Sequence, residues 1–468
     1  MTSVRHPVSV RHPVDEVPPP GRLAAFGLQH VLAMYAGAVA VPLIVGGAMK
    51  LSPADLAYLI NADLLLCGIA TVLQCVGLWR FGVRLPIMQG CTFAAVTPMV
   101  LIGTQGGGLR AIYGSVIVAG VAMIVLAPVF GRLLRFFPPL VTGTVILIIG
   151  LSLLPVAGNW AAGGQGAPDF GAPKNLGLAA GVLVLVLAVQ RFGPGFLGRV
   201  AVLVGIVAGT AAAIPLGFTD FSGVGDADWV GVSTPFHFGT PTFETPAVVS
   251  MLVVALVTMT ETTGDFIAVG ELTERPVDGR RLADGLRADG AATVLGGVFN
   301  TFPYTAFAQN VGLVGMTRVR SRWVVAAAGG LLVLLGLGPK LGAVVAAIPA
   351  PVLGGAGLVM FGTVAASGLR TLAGVDFRDN HNLTVVAVSV AVGLLPVGVP
   401  GIYKEFPDWF QTVMDSGISA GCVTAIALNL LFNHLPGGRT SAPVAAEAPL
   451  LEGRGGEDAV EQSGEQRV

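Results

Sequence analysis

Glu261 and Asp265 are the only charged residues between Pro246 and Gly270, and they stand four apart. On a helix that spacing puts both carboxyls on one face. Asp289 lies near the middle of the next apolar stretch. A carboxyl at membrane depth is costly and is read first as functional. A group that exchanges between charged and neutral forms is what a proton-coupled carrier needs. The plainer reading is a structural ion pair or helix–helix hydrogen bond; for Asp289, Arg281 and Arg287 stand nearby in sequence, whereas Glu261 has no Lys or Arg in its own stretch. His30 is the one histidine deep in an apolar run, where packing and ligand roles are both open. Asp63 is expected at an interface, near the outer end of its segment. Cys67 and Cys75 are expected as small core residues, since the four cysteines show no CxxC or Cys/His metal spacing.

The elements that must hold these groups follow from how rare charge is. Of 468 residues 53% are hydrophobic and 11% charged, against about 25% charged in soluble domains. No Asp, Glu, Lys or Arg lies between Arg22 and Lys50, Arg84 and Arg110, Arg135 and Asp169, or Lys340 and Arg370. Such runs read as membrane spans. This composition excludes a soluble enzyme, and a net charge of −1 without a basic stripe excludes a nucleic-acid binder. No apolar run in the first 20 residues resembles a cleavable signal. That stretch, with its repeated Val-Arg-His-Pro-Val and Pro18 to Pro20, reads as a disordered tail.

Apolar runs, cut at Gly, Pro and charge, give fourteen segments: 23–46, 56–79, 84–103, 111–131, 139–157, 175–190, 200–218, 246–270, 282–299, 302–317, 323–338, 341–366, 380–397 and 416–433. The expected fold is an all-α polytopic membrane protein. With both termini inside, all but five of the 26 Lys and Arg residues face the cytoplasm, as basic residues prefer. The five are Lys50, Arg110, Lys174, Lys340 and Lys404, and the 219–245 loop, without Lys or Arg, falls outside. Gly106 to Gly108 reads as a turn between spans.

Segments 84–103 and 302–317 are short and rich in Gly, Pro and polar residues. Thr92-Phe93 follow Pro86 at the spacing by which Gln309-Asn310 follow Pro303. Pro139, Gly143 and Gly150 share the spacing of Pro351, Gly355 and Gly362. The two offsets nearly agree, which predicts a repeat of seven segments, the second copy inverted because seven is odd. Segments 3 and 10 then read as an extended piece followed by a short helix, tolerable at membrane depth only around a cavity or within protein. Their helix N-termini, near Thr92-Phe93 and Gln309-Asn310, would offer free N–H groups to a ligand between them. A planar ligand could stack on Phe93. No phosphate loop, GxSxG, HExxH or haem pattern occurs, so the chain is expected to be neither an enzyme nor ATP-driven, and to hold no metal or cofactor.

The run Gln309-Asn310-Val311-Gly312-Leu313-Val314-Gly315-Met316-Thr317-Arg318 resembles the signature of the nucleobase–ascorbate transporter family. Gln29-His30, Glu261 to Asp265 and Ala288 to Gly290 support the likeness, which extends over residues 22–435 and is greatest to bacterial uric acid and xanthine permeases. The resemblance implies a 7+7 inverted repeat split into a core domain (22–138 and 246–340) and a gate domain (139–245 and 341–435), flanked by disordered tails at 1–21 and 436–468. It implies a homodimer and an elevator-like movement of core against gate. Glu261 and Gln309 match the side chains that bind the base, Phe93 the stacking aromatic, and the backbone at Phe93 and Ala308 further donors. Asp289 and Asp265 match acids tied to coupling and support. Asn310, Thr317 and Arg318 match positions that shape the site, and His30 one that supports affinity.

Oxidised purines alternate C=O and N–H groups, which one Glu and one Gln can clamp. Gln309 is the form of xanthine and urate carriers, whereas Glu there reads as uracil. Thr92 stands where xanthine carriers tend to have Asn, leaving room and a hydroxyl for a C8 oxygen. Asp265 pulls the other way, because some urate-specific members lack that acid. Urate, xanthine or both stay open, with proton symport as the leading reading. The rivals are a uracil permease, an anion carrier of related architecture, a passive pore and, least of all, a membrane-embedded enzyme.

Overall fold

A computed structural model describes residues 12–378 and 380–434. Among the described residues the chain is mainly helical with one two-stranded pair, and prolines open several of the helices. In the first quarter, α1 spans Pro20–Ala48 and α2 Pro53–Val76; strand β1, Gln89–Cys91, leads into a 3-10 turn, Phe93–Ala95, and α3, Val96–Ile102. Next come α4 (Gly108–Leu126), a short α5 (Phe130–Leu133), α6 (Pro139–Ala161), α7 (Pro173–Phe192), α8 (Ala201–Ala213) and the short α9 (Ser222–Asp226). The second half holds α10 (Thr245–Leu272), α11 (Gly279–Val298), β2 (Tyr304–Ala306), α12 (Ala308–Thr317), α13 (Arg322–Gly336) and α14 (Pro339–Ala346). It ends with α15 (Ala350–Leu372), α16 (Asn380–Gly398), α17 (Asp408–Met414) and α18 (Gly417–Asn433). Pro at the first turn costs no hydrogen bond, and Ser52, Asp278, Ser321 and Ser416 supply side-chain caps.

Among the described residues, eight helical stretches are long and apolar enough to cross a membrane, and a ninth if α13 and α14, bent by 81°, count as one. That is fewer than the fourteen segments expected, for local reasons. The third and fourth expected segments form one 34-residue stretch, Phe93–Leu126, broken at Gly106 (φ 109°). α11 carries Arg280, Arg281, Asp284, Arg287 and Asp289, too many charges for an apolar span. α12 has ten residues and α18 seventeen, and the Leu197–Ala213 stretch is also short.

Small residues make the tightest helix contact. A Cβ on Gly150 of α6 would collide with Ala365 of α15, and one on Gly368 of α15 would collide with Leu147 of α6. Such glycines let two backbones approach where apolar surface alone gives little drive in lipid. The glycine repeat seen in sequence is used unequally: Gly143 and Gly150 face α15, whereas Gly355 faces Ala179 of α7 and Gly362 meets nothing.

The reading of 1–21 as a disordered tail is corrected at its inner end. Val14 is fully buried, and Asp15 forms ion pairs with Arg275 (2.7 Å) and Arg322 (2.8 Å). Ser321 Oγ donates to Glu16 O at 2.6 Å, and α1 begins at Pro20. The tails at 1–11 and 436–468 lie outside the described residues. On the opposite face, the 219–245 loop is held by Arg110, which donates to Thr240 O (2.7 Å), and by Lys340, which donates to Val224 O (3.2 Å).

Candidate functional site

The site is built around the strand pair. β1 and β2 run antiparallel, with Gln89 opposite Ala306, Gly90 opposite Thr305 and Cys91 opposite Tyr304. Thr92 N–H donates to Pro303 O and Phe307 N–H to Met88 O, both at 2.9 Å, so the pairing continues past both strand ends. Each strand leads within two residues into a helix, at Phe93 on one side and Ala308 on the other. The extended-then-helical reading of both segments is what the chain forms. Paired strands satisfy backbone groups that lipid could not.

α10 packs against β2, α12, α3 and the Phe93–Ala95 turn. Glu261, near the middle of α10, is half-buried and faces Phe137, Thr142, Val145 and Ile146, at the start of α6. One turn on, Asp265 lies within electrostatic reach of both Glu261 and Asp289, and its Oδ2 is buried with no hydrogen-bond partner. Gln309 and Ala308, at the start of α12, are exposed. The Gln309 amide lies beside Gly37 of α1. Phe93 is half-buried and meets Phe361 of α15 edge to face, with ring centroids 6.0 Å apart. α10, which carries Glu261, packs on α6, on α12 and on the Phe93–Ala95 turn, and Phe93 meets α15.

Of the other expected residues, Thr92, His30 and Asn310 are buried. Thr92 is fully buried, and its hydroxyl accepts from Ala94 N–H at 3.2 Å. It caps the short helix, an acceptor role that leaves the hydroxyl proton to another partner. His30 is buried and pairs with Asn310, whose Nδ2 donates to His30 Nδ1 (3.0 Å) and His30 O (3.1 Å). Both Asn310 contacts require an amide donor, which assigns the other ring proton to His30 Nε2. Thr317 donates to Leu313 O (2.8 Å), and Arg318 closes α12 in a left-handed conformation (φ 54°). They lie at the far end of a ten-residue helix, about 13–15 Å from its start.

Asp289 is fully buried and held by a residue that the sequence reading passed over. Gln74 Nε2 donates to Asp289 Oδ1 (2.5 Å) and to Gly285 O (2.8 Å), while Gln74 Oε1 accepts from Val83 N–H (3.0 Å). Arg287 pairs instead with Asp284 at 2.6 Å. The hydrogen-bonded reading of Asp289 therefore holds with a different partner from the arginines considered. Thr262 Oγ1 lies 2.9 Å from Thr305 Oγ1 and accepts from Ala306 N–H (3.1 Å), tying α10 to β2.

Asp63 overturns its assignment to an interface. It is fully buried, and its Oδ1 accepts from Cys91 Sγ (2.6 Å), Tyr304 OH (3.1 Å) and Thr301 Oγ1 (3.4 Å). Cys67 and Cys75 are core residues as expected, with Cys75 Sγ donating to Ile87 O at 3.3 Å. A signal for this cluster was present in the sequence: Asp63, Cys67, Thr71 and Gln74 recur at helical spacing within an apolar run.

The chain resembles known proteins over most of its length. A sequence profile of the permease family matches residues 21–402. The chain is 47% identical to the uric acid transporter UacT of Escherichia coli (strain K12), over 90% of this chain and 88% of that protein. It is 48% identical to the uric acid permease PucK of Bacillus subtilis (strain 168), over 88% of this chain and 95% of the other. Identity to the xanthine permease of the same organism is 46%, over 88% and 94%. Among solved structures, the transmembrane domain of the cyanobacterial bicarbonate transporter BicA shares the fold with a TM-score of 0.58, at 14% identity, over 89% of this chain and 99% of that one. The chain thus belongs to the xanthine/uracil permease family, and it is a multi-pass membrane transporter rather than an enzyme.

Proposed function

We propose that this protein imports an oxidised purine, urate or xanthine, by proton symport. The observation that carries this reading is the convergence of two helix N-termini, Phe93 and Gln309 beside the α10 helix that bears Glu261. Glu261 accepts from ring N–H groups, Gln309 pairs with a C=O and an N–H, and Phe93 stacks on the ring. Free amides at Phe93 and Ala308 add donors. Relatives named as uric acid and xanthine permeases support the substrate class. The anion-carrier alternative draws on fold alone, at 14% identity.

In this reading the chain makes fourteen crossings as a 7+7 inverted repeat, with both termini cytoplasmic. Antiparallel pairing of β1 with β2, one from each half, supports the inversion. The core comprises 22–138 and 246–340, and the gate 139–245 and 341–435. Glu261 facing α6 and Phe93 meeting α15 support a ligand held where core meets gate, as an elevator movement in a homodimer requires. Asp265 and Asp289 carry coupling and support, while His30 orients Asn310 and Thr317 and Arg318 end the helix that carries Gln309. The test is uptake of labelled urate and xanthine into vesicles with an imposed proton gradient. Uptake should collapse with a protonophore and fall about a hundredfold or more in Glu261→Gln. Full uptake in that variant removes Glu261 from the site, and uptake indifferent to the protonophore removes proton coupling.

A further inference from the structure

The strand pair is pinned at both ends from one helix. Asp63, Cys67, Thr71 and Gln74 form a stripe along α2, and each reaches the pair or its surroundings. At one end Thr71 Oγ1 accepts from Gln89 N–H (3.0 Å), next to the bond between Gln74 and Asp289. At the other end stands Asp63. Cys91 and Tyr304 are register partners across the two strands, and both donate to Asp63 Oδ1. Thr301 and Cys67 (3.6 Å) turn hydrogens to the same oxygen. One acceptor therefore holds a residue of each strand.

Asp63 is not part of the ligand site. It is fully buried behind the strands, on α2, whereas α10 with Glu261 packs on β2 from elsewhere. Yet Cys91 is two residues from Phe93, and Tyr304 four from Ala308. A slip of either strand at this end displaces a helix N-terminus directly. We propose that Asp63 is a positioning residue for substrate: by joining Cys91 to Tyr304 it fixes the distance between the two helix starts that hold the base. This proposal rests on the purine-site reading for its affinity arm only.

The test compares Asp63→Ala with Asp63→Asn, which keeps an oxygen acceptor at the same place. Both are measured as full-length protein, by urate uptake in proteoliposomes and by ligand-free amide hydrogen exchange. Asp63→Ala should raise the half-saturating urate concentration about tenfold and change the maximal rate less than about threefold; Asp63→Asn should stay within about threefold of the parent. Exchange across 89–93 and 304–308 should quicken in Asp63→Ala and stay near the parent in Asp63→Asn. Parental affinity and protection in Asp63→Ala overturns the proposal, as does equal impairment of both variants. If Asp63→Ala does not fold, Tyr304→Phe removes one donor and keeps the ring. It should raise half-saturation about threefold and quicken exchange at 89–93, and no change in either overturns the proposal. A parent protein that takes up no purine refutes the proposed substrate instead, and the exchange arm still decides the role of Asp63.

Discussion

The α6–α15 contact and the β1–β2 crossing both bring distant parts of the chain into close approach, by opposite means. Between α6 and α15 the contact is glycine and alanine against backbone: Gly150 on Ala365, and Gly368 on Leu147. Neither glycine offers a side-chain hydrogen bond. At the crossing, buried polar groups bond across elements: Asp63 to Cys91 and Tyr304, Thr71 to Gln89, Thr262 to Ala306, and Gln74 to Asp289. A surface of small side chains resists only overlap, whereas a hydrogen-bonded one also resists sliding. The lesson is a division of labour: the crossing fixes ligand groups relative to one another, and glycine-lined faces set how closely helices approach.

The largest effect should come from violating the close approach. Gly150→Leu forces a side chain into Ala365, and overpacking of this kind costs ~1–3 kcal/mol. A clear fall in thermal unfolding temperature is expected, and an unchanged melt means that α6 and α15 are not so close. Gln74→Leu should act on function more than on the melt. It strips Asp289 of its donor and leaves a buried acceptor unpaired, at ~1–3 kcal/mol, so uptake should fall about tenfold or more. Retention of full uptake would mean that the crossing tolerates loss of a bond. Phe361→Ala removes the edge-to-face partner of Phe93, worth ~0.5–1.5 kcal/mol beyond area, and should weaken substrate affinity a few-fold in a binding titration. Smallest of all, Asp15→Asn loosens two partly exposed ion pairs, worth ~1 kcal/mol or less each. Limited proteolysis near residue 15 should quicken while uptake holds.

Much of this was legible in the sequence, and the reasons are physical. Charge-free runs announce membrane helices because lipid tolerates little else, and the two short Gly- and Pro-rich segments showed where helix gives way to strand. Glu261 and Gln309 stood out by chemistry at depth. Asp63 stands near the outer end of its expected segment, and depth read from that segment alone sets it beside water. What lies beside it is Tyr304, 241 residues away in the chain. Likewise the partner of Asp289 is 215 residues distant, and Asp15 finds Arg275 at a separation of 260. Periodicity within one segment cannot reveal such pairings. The α2 stripe could have been noticed, since its spacing is helical, but an intramembrane Cys, Thr or Gln draws less attention than an acid.

The central claim is that Glu261 and Gln309 clamp an oxidised purine at the crossing. Equilibrium binding of labelled urate to purified protein, with xanthine, uracil, hypoxanthine, ascorbate and bicarbonate as competitors, tests it most directly in the parent, Glu261→Gln and Gln309→Ala. The account predicts displacement by urate and xanthine alone and loss of at least about tenfold in affinity in each variant. Displacement by uracil or bicarbonate, or parental affinity in both variants, would contradict it.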